Sequence, residues 1–211
     1  GSYDFYQECA YEYDGANSEY LWETHRLIVK EIAEHFPTGD IGIIDLGGGT
    51  GRYIAVECMN QLNDRVKKWT NLDFSENMQK VFKGHMSASG GVHDIVNLNL
   101  LDLHNYASDN KYDLAILSFV LSSMKEKPDF KAVRNLLNSG GLLLVAEGDP
   151  IYTMKKNCIW PVKTDQQRME LTLKPINPVQ IIVSAQNSGF LLKNTKLVKK
   201  FLPIIIGSNS G

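Results

Sequence analysis

Apolar positions along this chain repeat with two periods. Before residue 37, Leu21, Trp22, Leu27, Ile28, Ile32 and Phe36 recur at helical spacing, with Asn17-Ser18 placed to cap the turn ahead of them. No strand alternation precedes them, so residues 1–36 predict one or two helices. After Pro37-Thr38-Gly39 the pattern shifts to short apolar runs edged by turn residues: Ile41–Leu46, Trp69–Phe74, Ile95–Leu101, Tyr112–Phe119 and Leu142–Ala146. Such runs suit strands buried on both faces of a parallel sheet. Between them, Thr50 to about Leu62, Ser75 to about Met86 and Asp129 to Leu137 read as helices, and Ser139-Gly140-Gly141 as the turn into the fifth strand.

Strands alternating with helices make right-handed βαβ units and a doubly wound sheet. Residues 148–176 hold three prolines and no clear period, which predicts an irregular insertion. Asn177-Pro178 opens a last helix and Ser188-Gly189 closes it. Phe190–Val198 and Phe201–Ile206 follow closely enough for an antiparallel hairpin, which would bring the sheet to seven strands. The expected organisation is a helical lid over residues 1–40 and one α/β domain over 41–211.

Composition narrows the classes. The 211 residues carry 22 basic and 24 acidic side chains, a formal net charge of −2. A dedicated nucleic-acid binder would show a basic excess or stripe. Lys193, Lys196, Lys199 and Lys200 are the nearest approach, and they read as a solvated face. Cys9, Cys58 and Cys158 are odd in number and far apart, which argues against disulfides and zinc and for a reducing, cytoplasmic setting. No apolar run approaches the roughly 18 residues of a membrane span. The opening Gly1-Ser2 reads as a cloning scar that leaves room for a trimmed targeting segment.

The chemistry concentrates where the first strand meets its helix, in Asp45-Leu46-Gly47-Gly48-Gly49-Thr50-Gly51-Arg52. Alternate glycines let the backbone turn sharply and approach a ligand without a Cβ in the way. Ligands of such sheets bind at the carboxyl ends of the strands. The dinucleotide pattern G-x-G-x-x-G would need glycine where Arg52 stands, and no Gly-Lys-Ser/Thr completes a P-loop. The second strand ends at Asp73, where a carboxylate can accept hydrogen bonds from both hydroxyls of a ribose.

The remaining pattern, D-x-G-x-G-x-G, resembles motif I of the class I S-adenosylmethionine-dependent methyltransferases. Asp73-Phe74-Ser75-Glu76-Asn77-Met78 is similar to the D-x-S-x-x-M of many small-molecule members. The resemblance spans roughly residues 41–147 and implies a Rossmann-like fold with S-adenosylmethionine as cofactor and no metal. It implies that Asp45, Gly47, Gly48, Gly49 and Gly51 pack against the cofactor's methionine and ribose parts. Asp73, Phe74 and Met78 would line the nucleoside, and Asp102 and Leu103 would meet the adenine. Ser118 and Phe119 would lie under the sulfonium, while Asp113, at the start of its strand, is structural.

Ala10-Tyr11-Glu12-Tyr13-Asp14 is similar to an A-x-x-Y-D that precedes such domains, whose tyrosine belongs to a lid. Seven aromatics crowd residues 3–22, in keeping with a lid. An Asn/Asp-Pro-Pro-aromatic signature of DNA amino-methylation is absent, and Ser122-Ser123 stand where many relatives carry a His. Glu147 and Asp149 follow the fifth strand and are, with Tyr13, the candidates for acting on the methyl acceptor. His25, His35, His85, His93 and His104 show no ligand spacing and read as solvated or capping residues. Three readings follow: an enzyme acting on a small molecule, an enzyme acting on a peptide or protein, and a non-catalytic cofactor-binding module. Intact cofactor positions place the last of these lowest.

Overall fold

A computed structural model describes residues 2–11, 13–148, 158–163, 168–174 and 176–196. Its centre is a five-stranded parallel sheet in the order β3-β2-β1-β4-β5, formed by β1 (Ile41–Leu46), β2 (Val66–Asp73), β3 (His93–Asn97), β4 (Tyr112–Ser118) and β5 (Leu137–Ala146). The order reverses between β1 and β4, so the carboxyl ends of β1, β2 and β4 open a crevice at the switch point.

Alternation along β1 sends Ile41 and Ile43 to one face and Ile44 and Leu46 to the other. The first face is covered by α2 (Tyr13–His35), α3 (Ala55–Leu62) and α4 (Glu76–Ser89), whose Ile32, Cys58 and Phe82 join Trp69 in the core. The second is covered by α5 (Phe130–Asn135) and α6 (Pro178–Asn187) through Phe130, Val133 and Ile181. Each aliphatic or aromatic side chain fully buried there contributes about 1.5–3 kcal/mol. Thr70 and Tyr112 share a 2.7 Å hydrogen bond inside the sheet. Asp113 is structural, as expected: its carboxylate accepts the Gly42 N–H at 2.8 Å and the Asn138 amide at 3.1 Å.

Several boundaries differ from the expectations. Helix α2 begins at Tyr13 and runs unbroken through Asn17-Ser18, because tertiary bonds to Asp14 hold the preceding turn helical. A short α1 (Ser2–Cys9) precedes it. The Ser139-Gly140-Gly141 segment lies within β5 as a bulge: Tyr112 pairs with Leu137, but Leu114 pairs with Leu142. β3 stops at Asn97, and a 3₁₀ turn (Leu100–Asn105) follows, capped by the Asn99 side chain.

The region expected to be irregular contains an antiparallel pair, β6 (Cys158–Lys163) and β7 (Arg168–Leu173). It lies beside α1, α2 and the turn Leu121–Ser123. Residues 190–196 form no strand: Phe190 packs against the core, but Leu191 and Leu192 are exposed. The expected C-terminal hairpin thus lacks its first strand over these residues, and the rest of it lies outside the described residues. The last helix matches its reading: Asn177 accepts the Val179 N–H at 3.0 Å, with Pro178 in the first turn. No helix among the described residues is long and apolar enough to cross a membrane.

Candidate functional site

The crevice at the switch point holds a cleft of about 350 Å³, within the range of small-molecule pockets. Its floor is the loop after β1. Gly47 and Gly48 donate their N–H groups to the Leu72 carbonyl at 2.7 and 3.2 Å, which ties the loop to the end of β2. A Cβ on Gly48 would stand 1.9 Å from Asn71 Oδ1, so only glycine fits there. Gly49 has φ +57°, and a Cβ on it would meet nothing within 4 Å, which leaves the space beside it open. Gly51 completes the loop, which the cleft touches from residue 47 to residue 51.

Two carboxylates face this loop. Asp73, 7% exposed, accepts the Gly49 N–H on Oδ2 and the Ser75 N–H on Oδ1, both at 2.9 Å. Burial pushes its pKa up to about 6 although these N–H groups pull it down. Asp45, 3% exposed, is pushed up to about 7, first by burial and then by the charge of Asp73. Phe74 and Met78 continue the wall, and Ser75 caps α4 by accepting the Met78 N–H at 3.1 Å.

The opposite wall is Leu98–Leu101 rather than the two residues that follow. Asp102 is exposed on the 3₁₀ turn, and Leu103, 1% exposed, points into the core. Ending β3 at Asn97 rotates the turn so that neither reaches the cleft. At the end of β4, Ser118 and Phe119 do line it. Phe119 has φ +55° and donates its N–H to the Ala146 carbonyl at 2.8 Å.

The roof comes from the N-terminal helices. On α1, Gln7 Oε1 accepts the Ser75 hydroxyl at 2.9 Å and the Asn77 N–H at 3.2 Å, while its carbonyl accepts the Asn77 amide at 2.8 Å. Tyr3 and Tyr6 set their rings 5.3 and 6.3 Å from that of Phe74. At the head of α2, Asp14 accepts the Thr50 hydroxyl on Oδ1 at 2.5 Å and meets His85 Nε2 through Oδ2 at 2.8 Å. Its carbonyl accepts the Tyr53 hydroxyl. Tyr13 lines the cleft, and burial, followed by Tyr6, raises its phenol well above the usual range.

Glu147 does not reach the cleft wall. Its Oε1 accepts the Ser122 N–H at 3.2 Å and its Oε2 the Gly148 N–H at 3.4 Å, so it braces the loop after β4. Burial raises its pKa. Asp149 lies outside the described residues. Sequence reasoning missed His25, which is neither solvated nor capping. It is 7% exposed, lines the cleft, and places Nε2 3.4 Å from Ser118 Oγ. A signal was present, because residues 25, 28, 29 and 32 share one helical face and the last three are core. Gln7 carried no comparable signal, whereas Asp14 stood in the A-x-x-Y-D match and Tyr6 among the aromatics of residues 3–22. Among the described residues, no cluster of His, Cys, Asp and Glu side chains is arranged to hold a metal ion.

A doubly wound sheet with a glycine-lined, carboxylate-bearing cleft at its switch point defines a nucleoside-binding α/β protein. Residues 44–143 match the model of a family described as a methyltransferase domain. No curated protein sequence matches the chain. Among solved structures, an S-adenosylmethionine-dependent methyltransferase from Clostridium acetobutylicum ATCC 824 aligns at 16% identity over 92% of this chain and 94% of its own, with a TM-score of 0.65. The CcbJ methyltransferase from Streptomyces caelestis aligns at 16% over 78% of both, with a TM-score of 0.60. The [4+2]-cyclase SpnF aligns at 21% over 81% of this chain and 59% of its own, also at 0.60. The solved structures establish the fold, and the family model carries the activity.

The methyltransferase-domain match over residues 44–143, on this fold, supports a class I S-adenosylmethionine-dependent methyltransferase with S-adenosylmethionine as its cofactor. The residues present fit that group: a buried carboxylate for ribose hydroxyls, open space beside Gly49, and an apolar wall at Leu98–Leu101.

Proposed function

We propose that this methyltransferase acts on a small molecule enclosed in the cleft. The observation that carries this reading is the roof. α1 and the head of α2 are hydrogen-bonded to the start of α4 and to the loop after β1, so the cleft is bordered by aromatic rings. A peptide substrate would need an open groove there. In this reading residues 1–40 act as the lid of a domain that begins at residue 41. Its three widely spaced cysteines support a cytoplasmic setting.

Asp73 would hold the ribose hydroxyls, with its carboxylate oriented by the N–H groups of Gly49 and Ser75. Asp45 and the loop from Gly47 to Gly51 would take the methionine part. Phe74, Met78 and Leu98–Leu101 would enclose the adenine. Ser118 and Phe119 would flank the reacting end, with Tyr13 above it. When bound, S-adenosylmethionine supplies an electrophilic methyl group on a sulfonium. The protein's task is then alignment, since holding the reactants about 3–3.5 Å apart lowers the barrier by several kcal/mol. The lid excludes water.

The test is incubation with methyl-labelled S-adenosylmethionine and two extracts, one of metabolites and one of proteins. Label is expected in the metabolite fraction. Label in protein would overturn the small-molecule reading, as would tight S-adenosylhomocysteine binding without transfer to either extract.

A further inference from the structure

We propose that His25 is the catalytic residue that receives the methyl acceptor, a hydroxyl-bearing small molecule, and removes its proton during transfer. The proposal rests on the small-molecule reading above and adds to it the acceptor's chemistry and the residue that meets it.

Three separate parts of the fold converge on this imidazole. α2 supplies it from the face that also buries Ile28, Val29 and Ile32, so its backbone is fixed by the core. The loop before α3 places the Tyr53 ring 5.4 Å away on one side, tilted by 34°. The end of β4 places the Phe119 ring 5.6 Å away, tilted by 40°. The rings hold the imidazole plane, and Nε2 is directed at the Ser118 hydroxyl, itself a cleft residue at the carboxyl end of the sheet. The 3.4 Å separation is at the outer limit of a hydrogen bond. A hydroxyl entering the cleft at this point meets an acceptor in His25 and a donor in Ser118.

The step balances with the established cofactor. The hydroxyl proton passes to His25 Nε2, and an oxygen lone pair forms the new O–C bond. The methyl–sulfur bond breaks with its electron pair going to sulfur, leaving S-adenosylhomocysteine and a protonated imidazole that returns its proton to water. General bases of this kind contribute about 10²–10⁴-fold.

His25→Gln keeps a polar side chain of similar reach and removes the base; His25→Ala opens room for added imidazole. With the labelled metabolite extract, kcat is expected to fall about 100-fold or more in both variants. Imidazole is expected to restore His25→Ala and leave His25→Gln unchanged. Calorimetry should give S-adenosylhomocysteine affinity within about threefold of wild type, since His25 is not among the cofactor's anchors. The His25 Cε1–H resonance, assigned by its loss in His25→Gln, should shift when S-adenosylhomocysteine is added to the wild-type protein. A wild-type enzyme that labels a metabolite while His25→Gln labels it equally fast would overturn this proposal alone. So would an unmoved resonance under saturating S-adenosylhomocysteine. Label appearing only in the protein fraction would overturn the proposal together with the small-molecule reading.

Discussion

Asp14 fastens the N-terminal roof to the loop after β1, and Asp14→Ala is the perturbation that isolates this. The substitution removes the 2.5 Å bond from Thr50 and the 2.8 Å pairing with His85, and it keeps the backbone carbonyl that serves Tyr53. A hydrogen bond to a charged group is worth about 1.5–3 kcal/mol. The His85 pair, with side chains 29% and 21% exposed, adds under about 1 kcal/mol. Since Thr50 would turn to water or a neighbour once released, a net cost of about 2 kcal/mol is expected, which is about 30-fold in the equilibrium for local opening of the roof. Amide hydrogens of residues 2–15 should then exchange about 30-fold faster, while those of β1 and β4 keep their protection. Adding S-adenosylhomocysteine should slow exchange in both proteins. Residues 2–15 exchanging at the wild-type rate in the variant would refute the fastening.

Three further outcomes are expected. Asp45 and Asp73 hold their protons in the folded protein to about pH 7 and 6, against about 4 when unfolded, so the stability this contributes is present below pH 4 and lost as pH rises towards 7. Asp45→Asn should therefore gain stability relative to wild type between pH 5 and 8 in urea melts, and parallel curves would count against it. Gly48→Ala must displace Asn71, whose amide is bonded to the Gly49 carbonyl and to Gln79; a loss of about 1–3 kcal/mol and weak S-adenosylhomocysteine binding should follow. Asp73→Asn should weaken S-adenosylhomocysteine binding by about tenfold or more by calorimetry, whereas Asp102→Ala, an exposed change, should leave it within about twofold.

The strands nearest the site were the legible ones. β1 and β4 are apolar runs buried on both faces, a pattern that few other arrangements produce, β2 is buried from Trp69 onward, and their ends carry Asp45, Ser118 and Asp73. β3 was harder, because Ile95–Leu101 is apolar past the point where pairing stops. The break at Asn97 depends on Asn99 turning its side chain onto the Leu101 N–H. That shift puts Leu98–Leu101, rather than Asp102 and Leu103, along the cleft. Ser139-Gly140-Gly141 has turn composition, yet β4 pairs on both sides of it and absorbs it as a bulge. β6 and β7 left no trace in periodicity, and Leu191 and Leu192 look like strand residues but are exposed. The roof was legible as an aromatic excess and the A-x-x-Y-D match. Its fastening through Gln7 and Asp14 depends on residues 36 to 71 positions away in the chain.

Phe119 has a bearing on how this protein would respond to selection for heat resistance. A non-glycine residue at φ +55° stores about 1–3 kcal/mol of backbone strain. Phe119→Gly would release it with no change to the Ala146 hydrogen bond. A screen that rewards melting temperature alone would thus favour a substitution that strips one of the two rings from beside His25. Thermostable descendants chosen without an activity filter should lose methyl transfer first at this position, with the sheet and the glycine loop left intact.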